Sequence, residues 1–178
     1  MAALEAENLR ANERALAAEQ HVARLAQLVA SVTQLHQTDA VDEVRVIVKE
    51  VVANLLGCEE MGIFEVTTPG PIYTYADGIG IDADRFTTLP AGAPILREAS
   101  ERGGVVLPDD PAAAAFHGRP VSAVIPLVDA GSVRSVVVLF QLLRQKQGWE
   151  PGDRDLMETL ALHGGRALAN ARLRERGA

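Results

Sequence analysis

The chain holds one cysteine, Cys58, among 178 residues. That excludes an intrachain disulfide and any CxxC metal site. Aromatic residues make up only 4% of the chain while hydrophobic residues reach 48%, so a core must come from aliphatic side chains, chiefly Val, Leu and Ala. Basic residues are outnumbered, the formal net charge is −7, and no long basic run exists. Phosphate binding needs clustered Lys and Arg, which argues against nucleic acid as a partner. No apolar run approaches the roughly 20 residues that span a bilayer, so no membrane insertion is expected. The opening MAALEAENLR is acidic and polar, unlike a signal peptide. A cytoplasmic protein is expected, with one medium domain and an extension.

The extension lies at the N-terminus. Residues 1–38 contain no Gly and no Pro and read as one long helix. Leu4, Asn8, Ala11, Ala15, Ala18, Val22, Leu25, Val29, Val32 and His36 alternate spacings of four and three, a coiled-coil seam. Alanine weakens the first half. Leu28 and Leu35 lie off the seam and widen the stripe, which suggests that further helices pack there. The seam predicts a homodimer.

The domain proper is expected over residues 39–176. Val41 to Val66, VDEVRVIVKEVVANLLGCEEMGIFEV, reads as an amphipathic helix, a glycine stop at Gly57 and a buried strand. Thr38-Asp39 reads as the N-cap of that helix. TTPGP then marks a turn, Pro71 to Ala76 a hairpin partner, and Asp77-Gly78 its close. Ile79 to Pro94 reads as loop, with one helical turn near Asp82 to Phe86. Ile95 to Arg102 reads as a short helix stopped by Gly103-Gly104, and Val105 to Leu107 as a short strand. Pro108 to Pro120 reads as a second loop. Val121 to Val128 and Val133 to Leu143 read as strands apolar on both faces, so the sheet should be covered on both sides. Pro126 implies an edge position or a bulge. The closing helix, 153–176, carries acids at its start and arginines at its end, the bias the helix dipole favours. Gly164-Gly165 at its middle suggests a close contact or a kink.

Three segments and the helix before them resemble the GAF domain, a ligand-sensing relative of the PAS fold. They are VDEVRVIVKEVVANLLGCEEMGIFEV, AVIPLVDAGSVRSVVVLF and WEPGDRDLMETLALHGGRALANARL, with the coiled coil entering in front. Ser135 departs from the glycine often found in the family's return strand. The resemblance implies an α+β fold with a central antiparallel sheet of about five or six strands and helices on both faces. It further implies a sensory or regulatory module that relays a small-molecule or partner signal to a signalling protein. The alternative is a degenerate domain without a ligand, acting as a dimerising scaffold. The chain shows no kinase, cyclase or helix-turn-helix segment, so output should pass through another protein or through more of a longer one.

Ligands of the family usually sit in the middle segment. Tyr75, Phe86, Leu96, Phe116, His117 and Arg119 are therefore the candidate ligand-binding residues. Phe116, His117 and Arg119 offer an aromatic, an imidazole and a guanidinium suited to a planar or anionic ligand. A surface loop with an ordinary salt bridge is the plainer reading of the three. The NKFDE pattern of cyclic-nucleotide-binding members is absent, which argues against cyclic GMP. Phe116 stands where covalent bilin would need a cysteine before His117. Haem through His117 is likewise disfavoured, so the cofactor stays unassigned.

No catalytic residues are expected. GxSxG, P-loop and HExxH patterns are missing. Some GAF-like proteins reduce free methionine sulfoxide, but that cycle passes through a disulfide that Cys58 cannot form alone. Asp109 and Asp110, between prolines, read as a solvated turn. His21, His36, His117 and His163 have no second His or Cys three or four residues away, so no metal site is expected. The candidate dimer-interface residues are Val22, Leu25, Val29 and Val32 on the first helix and Leu156, Leu160 and Leu168 on the closing one.

Overall fold

A computed structural model describes residues 2–67 and 72–177. The side chain of Leu4, and most of the TTPGP turn with Pro71, lie outside the described residues. Helix α1 spans Ala2–Gln37 and α2 spans Val41–Asn54. Strands β1 (Cys58–Thr67), β2 (Ile72–Ile79) and β3 (Thr88–Leu89) follow, then α3 (Pro94–Arg102). Strands β4 (Ala123–Asp129) and β5 (Ser132–Leu142) lead to α4 (Asp153–Gly177).

The five strands form one antiparallel sheet in the order β3-β2-β1-β5-β4. Alternation sorts its side chains. Met61, Ile63, Ile125, Leu127, Val137 and Leu139 point to one face, where they pack with α2, α4 and Leu35 of α1. Phe64, Tyr73, Val124, Val136, Val138 and Phe140 point to the other, where α3 and the loops cover them. Both faces are therefore dry, as the doubly apolar strands demanded. Pro126 lies on β4, at the sheet edge, where its missing N–H costs no ladder bond to a further strand.

Helix ends obey local chemistry in part. Gly57 and Gly103 both adopt left-handed φ, +65° and +59°, and stop α2 and α3. The N-cap of α2 is Ala40, which offers no side-chain bond. Thr38 and Asp39 do not cap it: the Thr38 hydroxyl donates to Glu43, and Asp39 pairs with Arg174. The Val41 N–H donates instead to the Glu175 carboxylate of α4, at 3.0 Å. Asp77-Gly78 lies inside β2 rather than closing it, because Gly78 pairs with Gly62 and the strand runs on to Ile79. Segment 105–107 contributes one bridge, Val106 to Val124, not a strand. A two-residue strand, β3, lies in the stretch read as loop, next to the expected helical turn closed by the Phe86 N–H on the Asp82 carbonyl.

The Gly164-Gly165 pair makes a close contact, and α4 runs through it without a break. A Cβ on Gly165 would stand 2.3 Å from both the amide nitrogen and the carbonyl oxygen of Val128. Only a residue without a side chain lets α4 lie this close to β4.

Candidate functional site

The six residues marked for ligand binding part company. Phe86, Leu96 and Phe116 are buried in the second core cluster, packed with Tyr73, Val124 and Phe140. The Phe86 ring lies 5.1 Å from that of Phe140. The space beneath α3 is thus filled by aromatic and aliphatic side chains. Tyr75 is half-buried and meets Phe64 edge-on at 5.8 Å. Burial, reinforced by Asp77, raises its hydroxyl pKa above the ordinary value.

His117 and Arg119 diverge from their neighbour Phe116. Phe116 and Arg119 pair across a two-residue turn whose centre, His117-Gly118, has φ of +49° and +77°. Positive φ at both positions is what a type I′ turn requires. The turn sends Phe116 inward and leaves His117 exposed, with its ring 5.1 Å from that of Phe86. Arg85 donates to the His117 carbonyl at 2.7 Å. Arg119 donates to both carboxylate oxygens of Glu60 at 2.7 Å, so its guanidinium already has an anion. The three do not converge on one point.

An open groove does border Phe116. It encloses about 800 Å³ between the start of α3 and residues 106–116. Its walls are Pro94, Ile95, Val106, Leu107 and three successive alanines, Ala113 to Ala115. Among the described residues, the charged side chains lining it are all acidic: Glu98, Asp109 and Asp110. Asp110 accepts from the N–H groups of Ala112 and Ala113, which fits the turn read from sequence. The groove has the size of a small-ligand site and repels anions.

The opposite face carries the junction of α1 with the domain. Arg24 donates to Asp153 at 2.5 Å, to Glu150 at 3.1 Å and to the Leu55 carbonyl at 2.8 Å. Asp153 is fully buried and also accepts from Lys146 and from the Glu150 N–H, at 2.8 and 2.7 Å. Its reach back to Glu150 caps the start of α4 in the manner of a capping box. Burial alone would raise its pKa, but Lys146, the Glu150 N–H and Arg24 together hold the carboxyl below its ordinary value. Farther along, Nε2 of His36 lies 2.9 Å from Nδ1 of His163.

The interface candidates split in the same way. Leu156, Leu160 and Leu168 point into the chain's own core, because α4 needs them to cover the sheet. The exposed leucines of α4 are Leu162 and Leu173. On α1 the off-seam residues Leu28 and Leu35 pack on the domain, and Leu35 is 1% exposed. The seam residues Val22 and Val29 are 65% and 64% exposed, with Leu25 also exposed and Val32 half-buried.

Cys58 is buried, and its Sγ lies 3.2 and 3.1 Å from the carbonyl oxygens of Glu60 and Gln141, which share its one S–H donor. Burial pushes its pKa to about 11, so the nucleophilic thiolate is suppressed at neutral pH. Among the described residues no group of three or more His, Cys, Asp or Glu side chains could hold a metal ion, and no helix is long and apolar enough to cross a membrane.

Sequence reasoning missed the partnership of Arg24 with Asp153 and of His36 with His163. Each spans more than 120 residues, and only tertiary packing joins them. The acidic first turn of α4 gave the one local hint.

No family model and no curated protein matches the chain. Solved structures do. The GAF domain of a phosphoenolpyruvate-protein phosphotransferase from Coxiella burnetii superimposes with a TM-score of 0.67 at 16% identity, over 86% of this chain and 96% of that one. A GAF domain/HD domain protein from Geobacter sulfurreducens gives 0.61 at 15% identity, over 75% and 95%. A free methionine-R-sulfoxide reductase from Neisseria meningitidis, solved with its substrate, gives 0.59 at 21% identity, over 82% and 88%. At these identities the likeness is one of architecture. The sheet order, the covering helices and these superpositions lead to one conclusion: the chain has the GAF fold.

Proposed function

We propose that the chain is a non-catalytic cytoplasmic regulatory module, paired with a second copy through α1, that passes a small-molecule or partner signal to another protein. One observation carries this reading. The two apolar stripes of α1 have separate fates: Leu28 and Leu35 serve the chain's own core, while Val22, Leu25 and Val29 stay in solvent at seam spacing. A long helix with an unused seam gains most by meeting its equal in a parallel coil. The junction of α1 with α4 then links that coil to the sheet, and the acidic groove beside α3 is the place for an uncharged or cationic input.

One neighbour is named a sulfoxide reductase; where thiols reduce a sulfoxide, they end as a disulfide. This chain has one cysteine, buried and protonated, which supports a regulatory role over that chemistry. A second reading, the scaffold without a ligand, is favoured by the filled space around Phe86, Leu96 and Phe116.

Light scattering tests the pairing. The full chain should have twice the monomer mass at micromolar concentration. Val22→Glu with Val29→Glu should give a folded monomer, since both positions are exposed. A monomeric parent would overturn the reading. Native mass spectrometry of freshly purified protein, with an absorbance scan, separates the two inputs. A bound small molecule supports the sensor; bare protein from every growth condition supports the scaffold.

A further inference from the structure

The His36–His163 contact has no part in the reading above. Its ring centroids are 5.1 Å apart and the planes stand at 89°. The facing nitrogens, Nε2 and Nδ1, are 2.9 Å apart, with His36 exposed and His163 half-buried. Each neutral imidazole offers one lone pair, so the contact itself uses one N–H and one acceptor. Two imidazoles are too few for a closed metal site within one chain. His36, however, continues the seam Val22, Leu25, Val29, Val32, and in a parallel coil equivalent seam positions stand at one level and face each other. Two copies therefore bring two such pairs into one layer.

We propose that this layer binds a divalent transition-metal ion, Zn²⁺ foremost, through His36 and His163 of both copies. The site rests on the parallel pairing proposed above and exists only in the dimer. Imidazole suits Zn²⁺, and a tetrahedral ion with Zn–N bonds of about 2.0–2.1 Å holds its nitrogens about 3.3 Å apart. The present contact needs to open by only about 0.4 Å for that spacing. No proton has to leave: the ring that now donates moves its proton to its other nitrogen and presents a lone pair. Ligation uses the neutral imidazole, so binding should weaken as pH falls. Arg166 also repels a cation and weakens the site.

The test uses the full chain stripped with a chelator. Light scattering in chelator is read first, because it reports on the seam alone. Co²⁺ is then titrated and followed by its visible spectrum, which is intense for tetrahedral nitrogen ligation, with Zn²⁺ added to displace it. The expected result is one Co²⁺ per two chains, with the band lost in His36→Asn and in His163→Asn but kept in His21→Asn. Circular dichroism confirms that each variant is folded. A dimer in chelator that shows no tetrahedral band overturns the site and leaves the pairing intact. A chain that stays monomeric with and without Co²⁺ overturns both. A band that survives both single variants places the ion elsewhere and overturns the site. A monomer that dimerises on Co²⁺ supports the site and replaces constitutive pairing with metal-driven pairing.

Discussion

Asp153 is the residue on which the junction turns. Its carboxylate is out of water and accepts from two cationic side chains and one backbone N–H. Asp153→Asn keeps the shape but leaves Arg24 and Lys146 without their shared anion. Breaking such a buried pair costs about 3–5 kcal/mol. Urea unfolding at pH 7 should show a loss of that size, against less than about 1 kcal/mol for Glu150→Gln at the exposed end of the same network. The pH dependence has a definite sign. The folded carboxyl titrates below its unfolded value of 3.8, so its contribution is complete above that pH. It drains away as pH falls through the depressed folded pKa. Melts from pH 6 downward should show this acid leg in the parent and a shallower one in Asp153→Asn.

At the scale of the element, α4 lies against the backbone of β4, and its two central glycines differ. Gly165→Ala drives a methyl into the backbone of Val128, which cannot rotate aside. The expected loss is about 3 kcal/mol, at the upper end of overpacking. Gly164→Ala meets the Leu127 side chain at 3.3 Å, which can yield, and gains about 1 kcal/mol of helix propensity. Its thermal midpoint should therefore stay near the parent's while that of Gly165→Ala falls sharply. A shared response would mean that α4 stands farther from β4. Elements of this kind were legible because period, glycine stops and end charges agree locally. Asp77-Gly78 misled for the converse reason: a good turn dipeptide was overruled by the length of β1 opposite it. The cap of α2 was invisible, since Glu175 lies 134 residues away. The sequence marked Phe86, Leu96 and Phe116 as ligand candidates but not their burial, because whether an apolar side chain lines a space or fills it depends on neighbours no local pattern names.

For the whole molecule, the division of α1 predicts two different truncations. Removing residues 2–20 takes only exposed side chains among those described, together with part of the seam. The remainder should fold, keep the Arg24 anchor and pair more weakly in sedimentation. Removing residues 1–38 also takes Arg24, Leu28 and Leu35, exposes the apolar side of α2 and α4, and should aggregate or melt well below the parent. Equal stability of the two would show that α1 does not belong to the domain's core.

The position of the Arg24 anchor has a mechanical consequence. Helix α1 continues from it to Ala2, 22 residues or about 33 Å of straight rod. A rod clamped near its middle is a lever. A tilt of about 5° at the clamp, too small to break the Arg24–Asp153 contact, carries the far tip sideways by about 3 Å. That is about a third of the distance between the axes of two packed helices, so a displacement hard to see in the sheet would arrive at the tip as a splaying of the coil.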